Sequence, residues 1–237
     1  MHNKKIRIAK LLSYYNQGSR REIEKLINQK KIYLNNHLVQ SPVTFANEED
    51  RIIVNDKIVV FKKEVEVFKF YKPYEIVCSK NKQDNKKIIY EIIDEKFKNF
   101  IFAGRLDFKS EGLLILSNAS DLTRNLELPK NRFERKYEVR VFGFMNIDIL
   151  RKKSQGCIVG GIKYRPFKFK IKSKIKKNTI IEMILTEGKK NEIREIFKSM
   201  NLQVNRLKRL SFGPFTLGNM KPGELKKLTK KEIVNYE

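Results

Sequence analysis

Ile6, Ala9, Leu11 and Leu12 recur at helical spacing over residues 6–16, and Gly18 ends the run. A second helix is expected at once, because Ser19 and Glu22 stand at capping-box spacing and Ile23, Leu26 and Ile27 share one face behind them. The pattern then changes period. "KIYLNNHLVQ" alternates apolar and polar residues around Asn35-Asn36, a pair that tolerates the positive backbone angles of a tight hairpin. "EEDRIIVNDKIVV" repeats the arrangement around Asn55-Asp56. Two helices and a small sheet therefore fit into residues 1–60.

From Phe61 the strands lengthen and fill with aromatic and β-branched residues: "VFKFYKP", "NFIFAG", "GLLILS", "RKYEVRVFG", "FKFKIK", "TIIEMILTEG" and "QVNRLKRLSFG". Helical stretches are predicted near 121–128, 146–154 and 190–200, and Gly160-Gly161 reads as a turn between strands. The fold class is α+β: a small N-terminal α/β domain at 1–60, then a mixed, mostly antiparallel sheet domain at 61–237. The segment "FKKEVEV" is the expected join.

Charge adds what periodicity cannot. The 237 residues carry 52 Lys and Arg against 27 Asp and Glu, a formal net charge of +25 spread along the chain, so a polyanion is the natural partner. Nucleic acid ranks ahead of an anionic membrane. Lys, Asn and Ile are all abundant, as an AT-rich coding genome would produce, so the arginines are the sharper signal. Arg20 and Arg21 occupy the first turn of a helix, where the dipole disfavours cations; an anion docked there with Ser19, Lys25, Arg7 and Lys10 would favour them.

Other chemistry is excluded more readily. No stretch approaches the ~20 apolar residues of a membrane span, and "MHNKKIRIAKLL" is interrupted too early for a signal peptide, so a cytoplasmic protein is expected. Cys78 and Cys157 stand far apart and the only histidines are His2 and His37, too few for a zinc site or a histidine-based nucleophile. Phosphate-cradling glycine loops are missing, and neither a metal nor a cofactor is expected. What remains is Asp107 in "FAGRLDFKSEGLLILS", a carboxylate on a turn between two apolar strands. Local physics leaves it either a salt-bridged turn residue, with Arg105 or a distant arginine as counter-ion, or a reactive group.

Longer strings separate these readings. "RIAKLL", "GSRREIEKLI" and "KIYLNNHLV", within residues 4–60, resemble the small RNA-binding domain named for ribosomal small-subunit protein four. "GRLDFKSEGLLILSNASDL" resembles the signature of pseudouridine synthases, in the branch that acts on ribosomal RNA and carries this domain in front. Every defined position of its pattern G-R-L-D-x-x-[ST]-x-G-L-L-x-L-[ST]-N is present. "YKPYEIVCS" at 71–79, "FERKYEVRVFG" at 133–143, "LTEGKKNEIREIF" at 185–197 and "NRLKRLSFGPFTL" at 205–217 continue the likeness.

The resemblance implies isomerisation of a flipped uridine in ribosomal RNA, without cofactor or metal. It makes Asp107 the reactive carboxylate, Arg194 the arginine that pairs with it, and Tyr137 the aromatic that stacks on the base. Leu207 would pack the other side, and Arg105, Lys72, Lys136 and Lys189 would touch phosphate or pocket. "LQVNRLKRLSFGPFTLGNMKPGEL" resembles the large-subunit branch more than the small-subunit one, and a monomer is expected. Tyr74 stands where relatives commonly have glycine. A small-subunit rRNA enzyme, or an assembly factor that binds RNA without catalysis, are the alternatives.

Overall fold

Ile6 and Arg7 satisfy the helical spacing of the first segment, yet they form a strand. The computed structural model describes residues 5–15, 17–61, 65–82 and 85–234, so His2 and positions 62–64 of the expected join lie outside them. The chain divides into two units, one running to Glu66 and including Asn118–Ser120, the other comprising Val67–Ser117 and Asp121–Glu237.

The first unit contains, in order, β1 (Ile6–Arg7), α1 (Ile8–Tyr14), α2 (Arg20–Asn28), β2 (Ile32–Leu34), β3 (His37–Leu38), β4 (Phe45–Ala46), β5 (Ile52–Val54) and β6 (Lys57–Ile58). β1 pairs with β4, Ile6 opposite Ala46, which takes residues 6 and 7 out of the expected helix. At α2 the capping box forms in both directions: the Glu22 amide donates to Ser19 Oγ at 3.3 Å and the Ser19 amide to Glu22 Oε2 at 2.6 Å. Both hairpins turn where expected, with φ of 48° and 68° at Asn35-Asn36 and 48° and 63° at Asn55-Asp56. The two hairpins join in the order β3-β2-β5-β6, and Ile8, Leu12, Ile23, Ile27, Ile32 and Ile52 close the core between sheet and helices.

The second unit contains β7 (Val67–Lys72), β8 (Ile101–Ala103), β9 (Glu111–Ser117), α3 (Ser120–Glu127), β10 (Arg135–Phe142), α4 (Ile147–Ser154), β11 (Cys157–Val159), β12 (Ile162–Tyr164), β13 (Lys168–Ile175), β14 (Asn178–Leu185), α5 (Glu192–Lys198), β15 (Gln203–Phe212), β16 (Phe215–Thr216), β17 (Leu225–Lys227) and α6 (Lys230–Val234). Its main sheet runs β13-β14-β10-β15-β9-β7-β17, with β8 on β9 and β16 on β15. β10 and β14 alternate buried and exposed residues, whereas β9 is buried along its whole length, as a central strand covered on both faces should be.

All of these pairings are antiparallel except one. β15 meets β9 in parallel, Lys208 opposite Glu111 and Arg209 opposite Gly112. Gly112 has φ 105°, and a Cβ there would lie 2.4 Å from the Arg209 carbonyl oxygen, so only glycine permits the approach. The parallel pair, β17 and α6 had no counterpart in the sequence reading. Among the described residues no helix is long and apolar enough to cross a membrane.

Candidate active site

β8 and β9 are joined by residues 104–110, and three cationic side chains hold this loop by its backbone. Lys72 Nζ donates to the carbonyl oxygens of Ser110 (2.6 Å), Pro73 (2.9 Å) and Phe108 (3.5 Å). Arg209 donates from Nε to Leu113 O at 2.7 Å and from Nη2 to Gly104 O at 2.5 Å, gripping both ends of the segment. Arg194, on α5, donates to Lys109 O and, from Nη1, to Val204 O at 2.7 Å. Inside this frame the Ser110 amide donates to Asp107 O at 3.0 Å, closing a turn that leaves the Asp107 side chain exposed.

Asp107 lies on a cavity of about 650 Å³ whose wall includes Cys78, Arg105, Tyr137, Glu187, Lys189 and Leu207. Cations crowd it. Lys72 is fully buried, and burial pushes its ammonium down to about 8, against the opposing influence of Cys78, Asp107 and Glu111. Burial likewise lowers the Arg194 guanidinium, with Tyr74 and Asp107 acting against it. Asp107 makes no ion pair with any described residue. Lys72 and Arg194, the cations that act on it through charge, are themselves fixed by carbonyls and not by carboxylates.

The structure brings Asp107, Tyr137, Leu207, Arg105 and Lys189 to one cavity. Three expected members stand elsewhere. Lys72 lies beneath the Asp107 turn with its ammonium spent on carbonyls, so it shapes the loop and does not face the cavity. Lys136 points away, because strand alternation sends it to the face opposite Tyr137, where it pairs with Glu182 at 3.5 Å. Arg194 reaches Asp107 through the field and not through an ion pair, its hydrogen bonds going to two carbonyls and its buried Nε having no partner. In the first unit Arg7, Ser19, Arg20, Arg21 and Lys25 are exposed and Lys10 is partly so.

Arg135, Arg209, Glu187 and Glu192 also line the cavity and were not singled out from the sequence. A signal for the arginines was present. Arg135 stands two residues before Tyr137 on β10, and Arg209 two after Leu207 on β15, so the period of a strand puts each on the inward face with its neighbour.

Comparison with known proteins agrees with this architecture. The family model described as RNA pseudouridylate synthase matches residues 66–199, and the S4 domain model matches residues 6–52. The chain belongs to the RNA pseudouridylate synthase family, a family of isomerases, with an S4 RNA-binding domain in front. It is 35% identical to an uncharacterised RNA pseudouridine synthase of Rickettsia felis, over 95% of this chain and 97% of that one. It is 33% identical to the ribosomal large subunit pseudouridine synthase B of Buchnera aphidicola, with 97% of each chain covered, and 28% identical to the protein of that name from Bacillus subtilis. A crystal structure of a pseudouridylate synthase shares the fold, with TM-score 0.69 and 24% identity over 98% of this chain and all of the other.

Proposed function

We propose that this enzyme isomerises one uridine of large-subunit ribosomal RNA to pseudouridine, with Asp107 as the group that acts on the ribose side of a flipped nucleotide. The observation that carries this reading is an exposed carboxylate without an ion-pair partner, on a turn braced by Lys72, Arg194 and Arg209, at a cavity walled by Tyr137 and Leu207. The large-subunit target rests on the full-length likeness to the two synthase B proteins.

The reaction breaks the bond from ribose C1′ to N1 of uracil, rotates the base, and forms a bond from C1′ to C5; C5 gives up a proton and N1 gains one. Tyr137 opposes Arg209 and Leu207 opposes Val139 across the β10–β15 pair, so Tyr137 and Leu207 are diagonal neighbours on one face. Such neighbours lie about 7–8 Å apart. Both side chains line the cavity that holds Asp107. In this reading Tyr137 holds the base and stands near the C5 proton, Leu207 bounds its other side, and Arg194 adds positive charge near Asp107. Extrusion costs a few kcal/mol of stacking, which contacts from a strongly basic protein offset.

The test maps pseudouridines in ribosomal RNA from cells with and without the gene, then complements with Asp107→Ala. One large-subunit position should lose its pseudouridine and stay unmodified with the variant, whose melting temperature and RNA affinity match the wild type. A lost site in small-subunit RNA corrects the target, and restoration by Asp107→Ala removes Asp107 from the chemistry.

A further inference from the structure

Two arginines on the cavity wall are buried without a carboxylate partner. Arg209 is 1% exposed and Arg135 6%, and neither forms an ion pair with any described residue. Their guanidiniums flank one aromatic ring, Arg135 at 4.6 Å and Arg209 at 5.1 Å from the centre of Phe212. Each guanidinium has five N–H donors. Arg209 uses Nε and Nη2 on two carbonyls, and Arg135 uses Nη1 on Phe133 O at 3.0 Å, so most of the donors have no acceptor among the described residues.

Glycine backbone packs close against both guanidiniums. A Cβ on Gly104 would lie 3.1 Å from Arg209 Nη1, and one on Gly188 would lie 3.5 Å from Arg135 Nε. The nearby acids are otherwise engaged: Glu127 Oε1 accepts from the Gly104 amide at 2.8 Å, and Glu192 Oε2 accepts from the Lys189 amide. Burial and the charge of Arg209 work against the charge on Arg135, while Tyr137, Glu127 and Glu192 act in its favour without forming an ion pair with it. Two like charges on one aromatic ring, buried from water, favour an anion beside them.

We infer that Arg135 and Arg209 form a phosphodiester cradle, which takes the backbone phosphate that accompanies the flipped nucleotide into the cavity. A phosphate fits the planar donor forks bidentately and supplies the missing negative charge; a neutral uracil carbonyl supplies neither. This deepens the functional reading above and rests on it for the identity of the nucleotide. It also gives Arg209 two tasks, since the same guanidinium that receives the phosphate fixes both ends of the Asp107 loop.

The experiment uses the full-length protein and an rRNA fragment selected by affinity, with single phosphates replaced in turn by neutral methylphosphonates. One replacement should weaken binding to the wild type about tenfold, the effect of losing a charge-assisted hydrogen bond in a water-poor site. Arg209→Met and Arg135→Met should weaken binding of unmodified RNA by a similar factor and lose all sensitivity to that one replacement. A merely structural role would leave the sensitivity intact, and losses that multiply at every position overturn the cradle. Arg135→Met keeps the Arg209 bonds to Gly104 and Leu113, so it carries the test if Arg209→Met fails to fold. Isomerisation by the wild type is scored separately: a phosphate coupling without conversion refutes the enzymatic reading alone, and conversion without coupling refutes the cradle alone.

Discussion

Glu187 and Glu192 bring two buried carboxyls to one wall of the cavity. Glu187 accepts from the Arg165 amide at 2.6 Å and pairs with Lys189 Nζ at 3.3 Å, while Glu192 accepts from the Lys189 amide at 3.2 Å. Burial and the charge of Glu187 push Glu192 up to about 7. The folded protein therefore holds this proton more tightly than the unfolded chain, and its stability falls as pH rises from about 4.5 through 7. Glu192→Gln should remove that decline, raising stability at pH 8 by roughly 1–3 kcal/mol over the wild type with little change at pH 4. Urea unfolding at the two pH values checks it, and an unchanged difference refutes it. The sequence concealed this pair because the two acids stand in a run of lysines, and only α5 folding against the sheet buries them. The resemblance made Arg194 the direct partner of Asp107, and the structure places it against the Asp107 loop without an ion pair. Its hydrogen bonds to Lys109 O and Val204 O were not legible, since carbonyl acceptors leave no mark on a side-chain pattern.

The start of α2 presents Arg20 and Arg21 to solvent beside a capping box that already satisfies the first amides. Replacing both arginines by alanine should weaken RNA binding and reduce the slope of log affinity against log salt by roughly 1.5, as for two phosphate contacts. Ser19→Ala should instead destabilise the first unit by about 1 kcal/mol through the lost cap. Fluorescence anisotropy at several salt concentrations separates the effects: an unchanged slope returns the arginines to a solvated face. Elements closed by local contacts were readable from the sequence, including both Asn-containing hairpins, the capping box and the alternating strands β10 and β14. The early residues of α1 were not. Ile6 has helical spacing, but its partner Ala46 is forty positions away and outweighs local propensity. The β11–β12 hairpin followed from Gly160-Gly161, whereas β17 offered only three residues, too few for a period.

Across the molecule, net charge and strand grammar indicated an α+β protein with a polyanionic partner, and the order of motifs indicated RNA and the family. What they left out is how distant segments close on the Asp107 loop. Arg206 pairs with Glu111, itself an acceptor for Tyr71 Oη at 2.8 Å, and Arg209 reaches Gly104 and Leu113. The three arginine contacts span 95 to 105 positions and sit at the parallel junction of β9 with β15. Junctions of such separation form late, because the loop they close must be ordered before any contact rewards it. In refolding followed by pulsed hydrogen exchange, amides of β10 and β14 should gain protection before those of residues 104–113; simultaneous protection would contradict this order. The junction also acts as a timer during synthesis. While the chain emerges at about 5–20 residues per second, Asp107 is translated long before Arg209 exists to hold its loop. The N-terminal unit is thus fully synthesised several seconds before Arg209 is available to hold the Asp107 loop, so the two units are completed in order.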